Sequence, residues 1–212
     1  MKRLLVLLAI LLHPVLCQAI TVTSPITDIS GTGAQASPLL AISDEQGRAA
    51  AVWTENFPIR VEVAYFNGMN WQPSVRLGTG SFPNIDIDGS GNATVIWLDT
   101  ATNQILTSRY SVSSGAFSPP LQISASNVGG VNAAPKIAVN SHGHAIAVWV
   151  LGSPLQLIAS TCDPSTNTWS SPVTLVTGVG SFPQVALDNN NNGIVLWTSP
   201  QFGIESITIS IP

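Results

Sequence analysis

The sequence predicts an all-β fold, a four-bladed β-propeller, on three observations. A phrase that ends in tryptophan recurs four times, at Trp53, Trp97, Trp149 and Trp197, spaced by 44, 52 and 48 residues. The first three copies are each followed by two further strand-like segments at regular offsets, and the fourth by one. Helical periodicity is absent, and 15 prolines and 17 glycines punctuate the 212 residues, as many short strands with tight turns require. A period of about 40–50 residues with several strands per unit belongs to propellers rather than to single-helix repeats.

Each unit reads strand by strand. The first strand alternates, with Ile85 and Ile87, Ile137 and Val139, and Val185 and Leu187 at spacing two, the period that puts both side chains on one face. A polar turn follows: Asp88-Gly89-Ser90-Gly91, Asn140-Ser141-His142-Gly143 and Asp188-Asn189-Asn190-Asn191. Gly or Asn in the fourth place suits the positive φ of a tight hairpin. The first unit, turning through Ser43 and Gly47, carries one extra residue. The second strand is small and apolar and ends on the tryptophan, over 49–53, 93–97, 145–149 and 193–197. Third strands are expected over 61–66, 105–111, 157–162 and 204–209. An aromatic residue and a proline announce the fourth, at Trp71 and Pro73, Phe117 and Pro119, and Trp169 and Pro172. An apolar residue, Leu77, Ile123 or Val176, stands four places after each proline.

Blades of this kind cover their faces by stacking around an axis, with the recurring Trp and Ala packed between neighbours. The expected blades are about 34–80, 81–130, 131–180 and 181–212, the last completed by residues 20–30. That completion rests on the match of Ser24-Pro25-Ile26-Thr27-Asp28-Ile29 to Ser171-Pro172-Val173-Thr174-Leu175-Val176. A strand from the other end of the chain would remove a free sheet edge. The alternatives are a half-ring that pairs with a second copy into eight blades, and, more distantly, a β-sandwich or solenoid.

The repeated Pro-x-Val-Ala-Val-Asp-x-x-Gly-Asn-Ala pattern with its closing Trp resembles the β-propeller repeats of exported bacterial proteins. Its first two strands are similar to the NHL-type repeat, which usually ends on Asp where this one has Trp. The resemblance implies the fold and leaves function open, because propellers bind, scaffold and catalyse alike. The sialidase-type Asp box is matched less well, since Trp97 falls too late after Asp88.

Residues 1–19 read as an export signal: Lys2 and Arg3, an apolar run over 4–12, and Cys17-Gln18-Ala19 as a small-x-small cleavage site. A lipoprotein acylated at Cys17 is the lesser alternative. The expected mature chain of about 193 residues is long enough for one sizeable core. Export to the periplasm, the cell surface or the medium is expected. The net charge is −4 and no basic run is present, which excludes a phosphate-neutralising nucleic-acid partner. Without Cys17 only Cys162 remains, so no internal disulfide is expected. No second apolar stretch spans a membrane.

The chemistry-bearing residues all coincide with repeat positions. His142 and His144 occupy hairpin-turn places and lack the further ligands of a tetrahedral metal site. The Asn189–Asn192 run and Asp86 with Asp88 lack the alternating acids of a calcium loop. No cofactor or metal is expected, and no catalytic residue is assigned. Tyr65, Tyr110 and Cys162 fall at what reads as one core position of the third strand. Glu55 and Asp99, each two residues after a blade tryptophan, are the one carboxylate pair that a glycoside hydrolase could use. More in keeping with the repeats is a binding or interaction module, its ligand a carbohydrate or protein, working as monomer or homodimer. A purely structural role in a surface assembly is the further alternative. The binding face is expected at the loops between second and third strands, with Glu55, Asn56, Phe57, Asp99, Ser199 and Phe202. Phe82 and Phe182 of the Gly-x-Gly-Ser-Phe-Pro links lie at the same end and read as buried plugs beneath the links.

Overall fold

In the computed structural model the structure describes residues 27–30, 39–43, 46–56, 59–125, 134–201 and 203–211. Four antiparallel sheets follow one another along the chain. The first holds β1 (Leu39–Ile42), β2 (Ala49–Asn56), β3 (Ile59–Phe66) and β4 (Val75–Gly78). The second holds β5 (Ser81–Ile87), β6 (Ala93–Asp99) and β7 (Gln104–Ser111), with its outer strand broken into β8 (Ala116–Phe117) and β9 (Leu121–Gln122). The third repeats this plan with β10 (Lys136–Val139), β11 (Ala145–Leu151), β12 (Gln156–Asp163), β13 (Thr168–Trp169) and β14 (Val173–Thr177). The fourth holds β15 (Gln184–Leu187), β16 (Asn192–Ser199) and β17 (Gly203–Ser210). No helix occurs among the described residues, so none is long and apolar enough to cross a membrane. The all-β propeller expected from the repeat is what the chain forms.

The turns follow from their residues. Gly91 (φ 84°), Gly143 (φ 88°) and Asn191 (φ 64°) fill the fourth turn place with the expected positive φ. In each of these turns the leading Asp or Asn accepts the main-chain N–H groups two and four residues on: Asp88 from Ser90 and Asn92, Asn140 from His142 and His144, Asp188 from Asn190 and Asn192. The side chain thereby supplies an acceptor where the ladder has ended.

Sheets pack face to face in chain order, β1 and β2 on β5, β5 on β10, and β10 and β11 on β15. From the second sheet on, the blade indole leans back on the sheet before it. Trp97 lies with Val52, Val61 and Leu77, Trp149 with Ile96, Ile105 and Ile123, and Trp197 with Val148, Leu157 and Val176. The residue four places after the outer-strand proline is thus the lid of the next indole. Side chains also stitch adjacent inner strands: Asn84 and Asp86 accept the N–H groups of Ile137 and Val139, at 3.0 and 2.7 Å. Burial raises the Asp86 carboxyl above its ordinary range, against the pull of the Val139 and Ile87 N–H donors.

One expected alignment is corrected. Cys162 pairs with Ala145 and Phe66 with Ala49, each alanine four residues before a tryptophan, and Tyr110, which follows the Thr94 partner Arg109, holds the same place relative to Trp97. Tyr65 pairs instead with Ala50, one residue off, and so faces the second sheet. There it stacks on Tyr110 with centroids 3.8 Å apart. Both tyrosines and Cys162 are buried, as expected of core residues.

Of the expected closing strand, residues 20–26 lie outside the described residues. Ile29 packs against Ala51, Trp53 and Ala64 of the first sheet.

Candidate functional site

The propeller has two ends, and the chemistry divides between them. At one end lie the β2–β3, β6–β7, β11–β12 and β16–β17 hairpins, where the sequence placed the binding face. Glu55 closes β2 and pairs across the hairpin with Arg60, whose Nε is also 3.0 Å from Glu62. Glu62 is raised by burial, and the charge of Glu55 adds to the shift. Asp99 closes β6. Its Oδ1 accepts from Thr79 Oγ1 (2.8 Å) and the Ala101 N–H (2.9 Å), and its Oδ2 from Thr102 Oγ1 (2.9 Å). Both carboxylates are therefore engaged within the fold. Ser199 Oγ accepts from the Gln201 N–H. The Asn56 side chain, Phe57 and Phe202 lie outside the described residues.

Phe82 and Phe182 overturn the buried-plug expectation. They are 43% and 76% exposed. Each holds a positive φ, 53° and 58°. At Phe82 the β5–β6 register also slips between Ser81 and Asn84. A left-handed residue in a link reverses the local direction of the chain, and here the ring stands outward.

At the other end the strand-one turns and the strand-three hairpins meet. An open cleft of about 790 Å³ lies there between the first two blades, reaching Asn167 of the third. Its polar wall holds Arg48, Ser90, Asn92, Arg109 and Ser111, and Phe117 supplies an aromatic one. A second groove of about 360 Å³ shares Ala116 and Phe117 and runs between Tyr65, Val75 and Tyr110. Arg109 is fixed by Asp88, Nη2 to Oδ2 at 3.0 Å. Arg48 donates through Nη1 to the Ser90 carbonyl, and among the described residues no carboxylate pairs with it. The Tyr65 hydroxyl donates to the Gly91 carbonyl at 2.7 Å, and the tyrosine is raised chiefly by burial. The cleft is thus rigid at its base and cationic at its mouth. It offers guanidinium, amide and hydroxyl groups beside a ring face.

Sequence reasoning missed this cleft, because its residues come from Arg48 through Asn167 and meet only when the sheets stack. One signal was present: Arg48 follows a strand-one turn and Arg109 ends a third strand, so both belong to the same end. His142 and His144 are turn residues, their N–H groups held by Asn140 at 3.1 and 3.0 Å. Among the described residues no three His, Cys, Asp or Glu side chains gather as a metal site.

With this geometry the chain is similar to several solved structures. It matches an Aleuria aurantia lectin in complex with α-methyl-L-fucoside at 12% identity and a TM-score of 0.58, over 84% of this chain and 58% of that one. It matches the Hadza microbial sialidase Hz136 at 12% identity and a TM-score of 0.57, over 81% and 43%. A third match is hydrazine synthase of Kuenenia stuttgartiensis, at 9% identity and 0.57, over 82% and 50%. The chain therefore spans about half the length of these proteins, and what they share with it is the fold. No family model and no curated protein sequence matches the chain, so the NHL-type likeness rests on its motif alone.

Proposed function

We propose that this chain is a carbohydrate-binding propeller module whose sugar site is the cleft between the first two blades. The observation that carries this reading is the cleft's composition, Arg48, Asn92, Arg109 and Ser111 around Phe117. Vicinal hydroxyls of a sugar accept from guanidinium and amide donors, while the apolar face of the ring lies on an aromatic side chain. Two of the structural neighbours, a lectin bound to a fucoside and a sialidase, work on glycans and lend the reading support. Binding of glycans outside the cell also suits the export expected from residues 1–19.

The test is a glycan array followed by titration of the strongest hit. Arg48→Ala and Phe117→Ala are each expected to weaken binding about tenfold or more, the factor that corresponds to about 1.4 kcal/mol. A wild-type chain silent across the array, or two variants that bind unchanged, would refute the proposal.

A further inference from the structure

The fourth sheet leaves bare a surface that the other three bury. Aligned on the tryptophans, Leu196 corresponds to Val52, Ile96 and Val148, and Ile204 to Val61, Ile105 and Leu157. These six counterparts are fully buried, each under the next blade. Leu196 is instead 38% exposed, Ile204 75% and their neighbour Ile194 42%. The edge of β17 is likewise unpaired among the described residues, where β3, β7 and β12 each carry an outer strand. The matching half of such a junction lies at the other end of the chain. Ile29 sits against Trp53 as Leu77, Ile123 and Val176 sit in the clusters of Trp97, Trp149 and Trp197. Its sequence context repeats that of β14. Ile29 therefore marks the outer strand of a blade that precedes the first.

We propose that the fourth sheet docks on a second copy of this chain, with β17 pairing to the copy's residues 20–29 and Ile194, Leu196 and Ile204 covered by its first blade. The junction reproduces the three blade–blade junctions inside one chain, and the added strand supplies main-chain hydrogen bonds to an open edge. A head-to-tail contact of this type either closes or grows. In a closed pair each copy offers one bare sheet and one matching end, so no face is left over.

The experiment is native mass spectrometry and light scattering of the purified chain, beside the variant Leu196→Asp/Ile204→Asp and a deletion of residues 20–26. The wild type is expected as two chains and both variants as one, with unchanged circular dichroism for the double substitution, whose sites are exposed in the single chain. A monomeric wild type at ~100 µM would overturn the proposal. So would an open series of larger particles, or a dimer indifferent to the double substitution. Protection of β17 amides in a monomer would show the chain's own N-terminal strand in that place, and would equally count against the second copy.

Discussion

Replacement of Asp88 tests how the cleft's base is held. Its carboxylate is buried, and it accepts four hydrogen bonds: the Ser90 and Asn92 N–H groups, Asn92 Nδ2 at 2.8 Å and Arg109 Nη2 at 3.0 Å. Asp88→Ala leaves a largely buried guanidinium without its partner, which costs about 3–5 kcal/mol. At about 2–4 °C per kcal/mol for a chain of this size, the midpoint falls by roughly 6–20 °C. Asp88→Asn should cost less, about 1.5–3 kcal/mol, because Asn140 holds the same turn in the third blade with a neutral side chain. In that blade Thr161 stands in the register place of Arg109. Adding Arg109→Thr to Asp88→Asn therefore imports a pair that already works, and the double variant should lose less than the two singles summed, by about 0.5–3 kcal/mol. Urea unfolding followed by tryptophan fluorescence reads each value. Asp188→Ala is the control, since Asp188 makes the same turn bonds in the open and pairs with no arginine among the described residues. The reasoning fails if Asp88→Ala costs no more than that control, or if the double variant is additive.

Two further outcomes are expected. Burial pushes the Cys162 thiol up to about 11; at pH 8 it should therefore resist alkylation in the folded chain and react in urea, as peptide mass mapping would show. Labelling of folded Cys162 within seconds would contradict its place in the core. A Cβ on Gly80 would lie 2.4 Å from Trp97 Cδ1 and 2.6 Å from the Leu98 carbonyl, whereas one on Gly47 meets nothing within 4 Å. Gly80→Ala should thus cost about 1–3 kcal/mol in overpacking beyond what Gly47→Ala costs, and equal losses would argue against the close approach of link and indole.

Strands, turns and the indole spacing were legible because each is set by local residues. Alternation placed Ile85 and Ile87 inward, and the fourth turn place took Gly or Asn because φ is positive there. The failures have physical causes too. Tyr65 and Tyr110 share a residue type, and matching them by type shifted the register by one, which flips a strand residue to the opposite face. Phe82 and Phe182 were misjudged because nothing local announces a left-handed phenylalanine; the link geometry imposes it. For the candidate cleft the difficulty is distance along the chain. Arg48 and Ser90, or Asp88 and Arg109, become neighbours only through the hairpin turns and the stacking of blades. The expected carboxylates Glu55 and Asp99 were correctly placed at hairpin ends, yet only coordinates could reveal that their oxygens are already in use.

The backward lean of the indoles gives the array a direction. Trp97, Trp149 and Trp197 each seat against a sheet that precedes them in the chain. During synthesis the N-terminus comes first, so each blade from the second on arrives to find the surface for its indole already assembled. Folding can then advance one unit at a time behind the emerging chain, and the largest apolar side chains never wait in water for a partner still to be made.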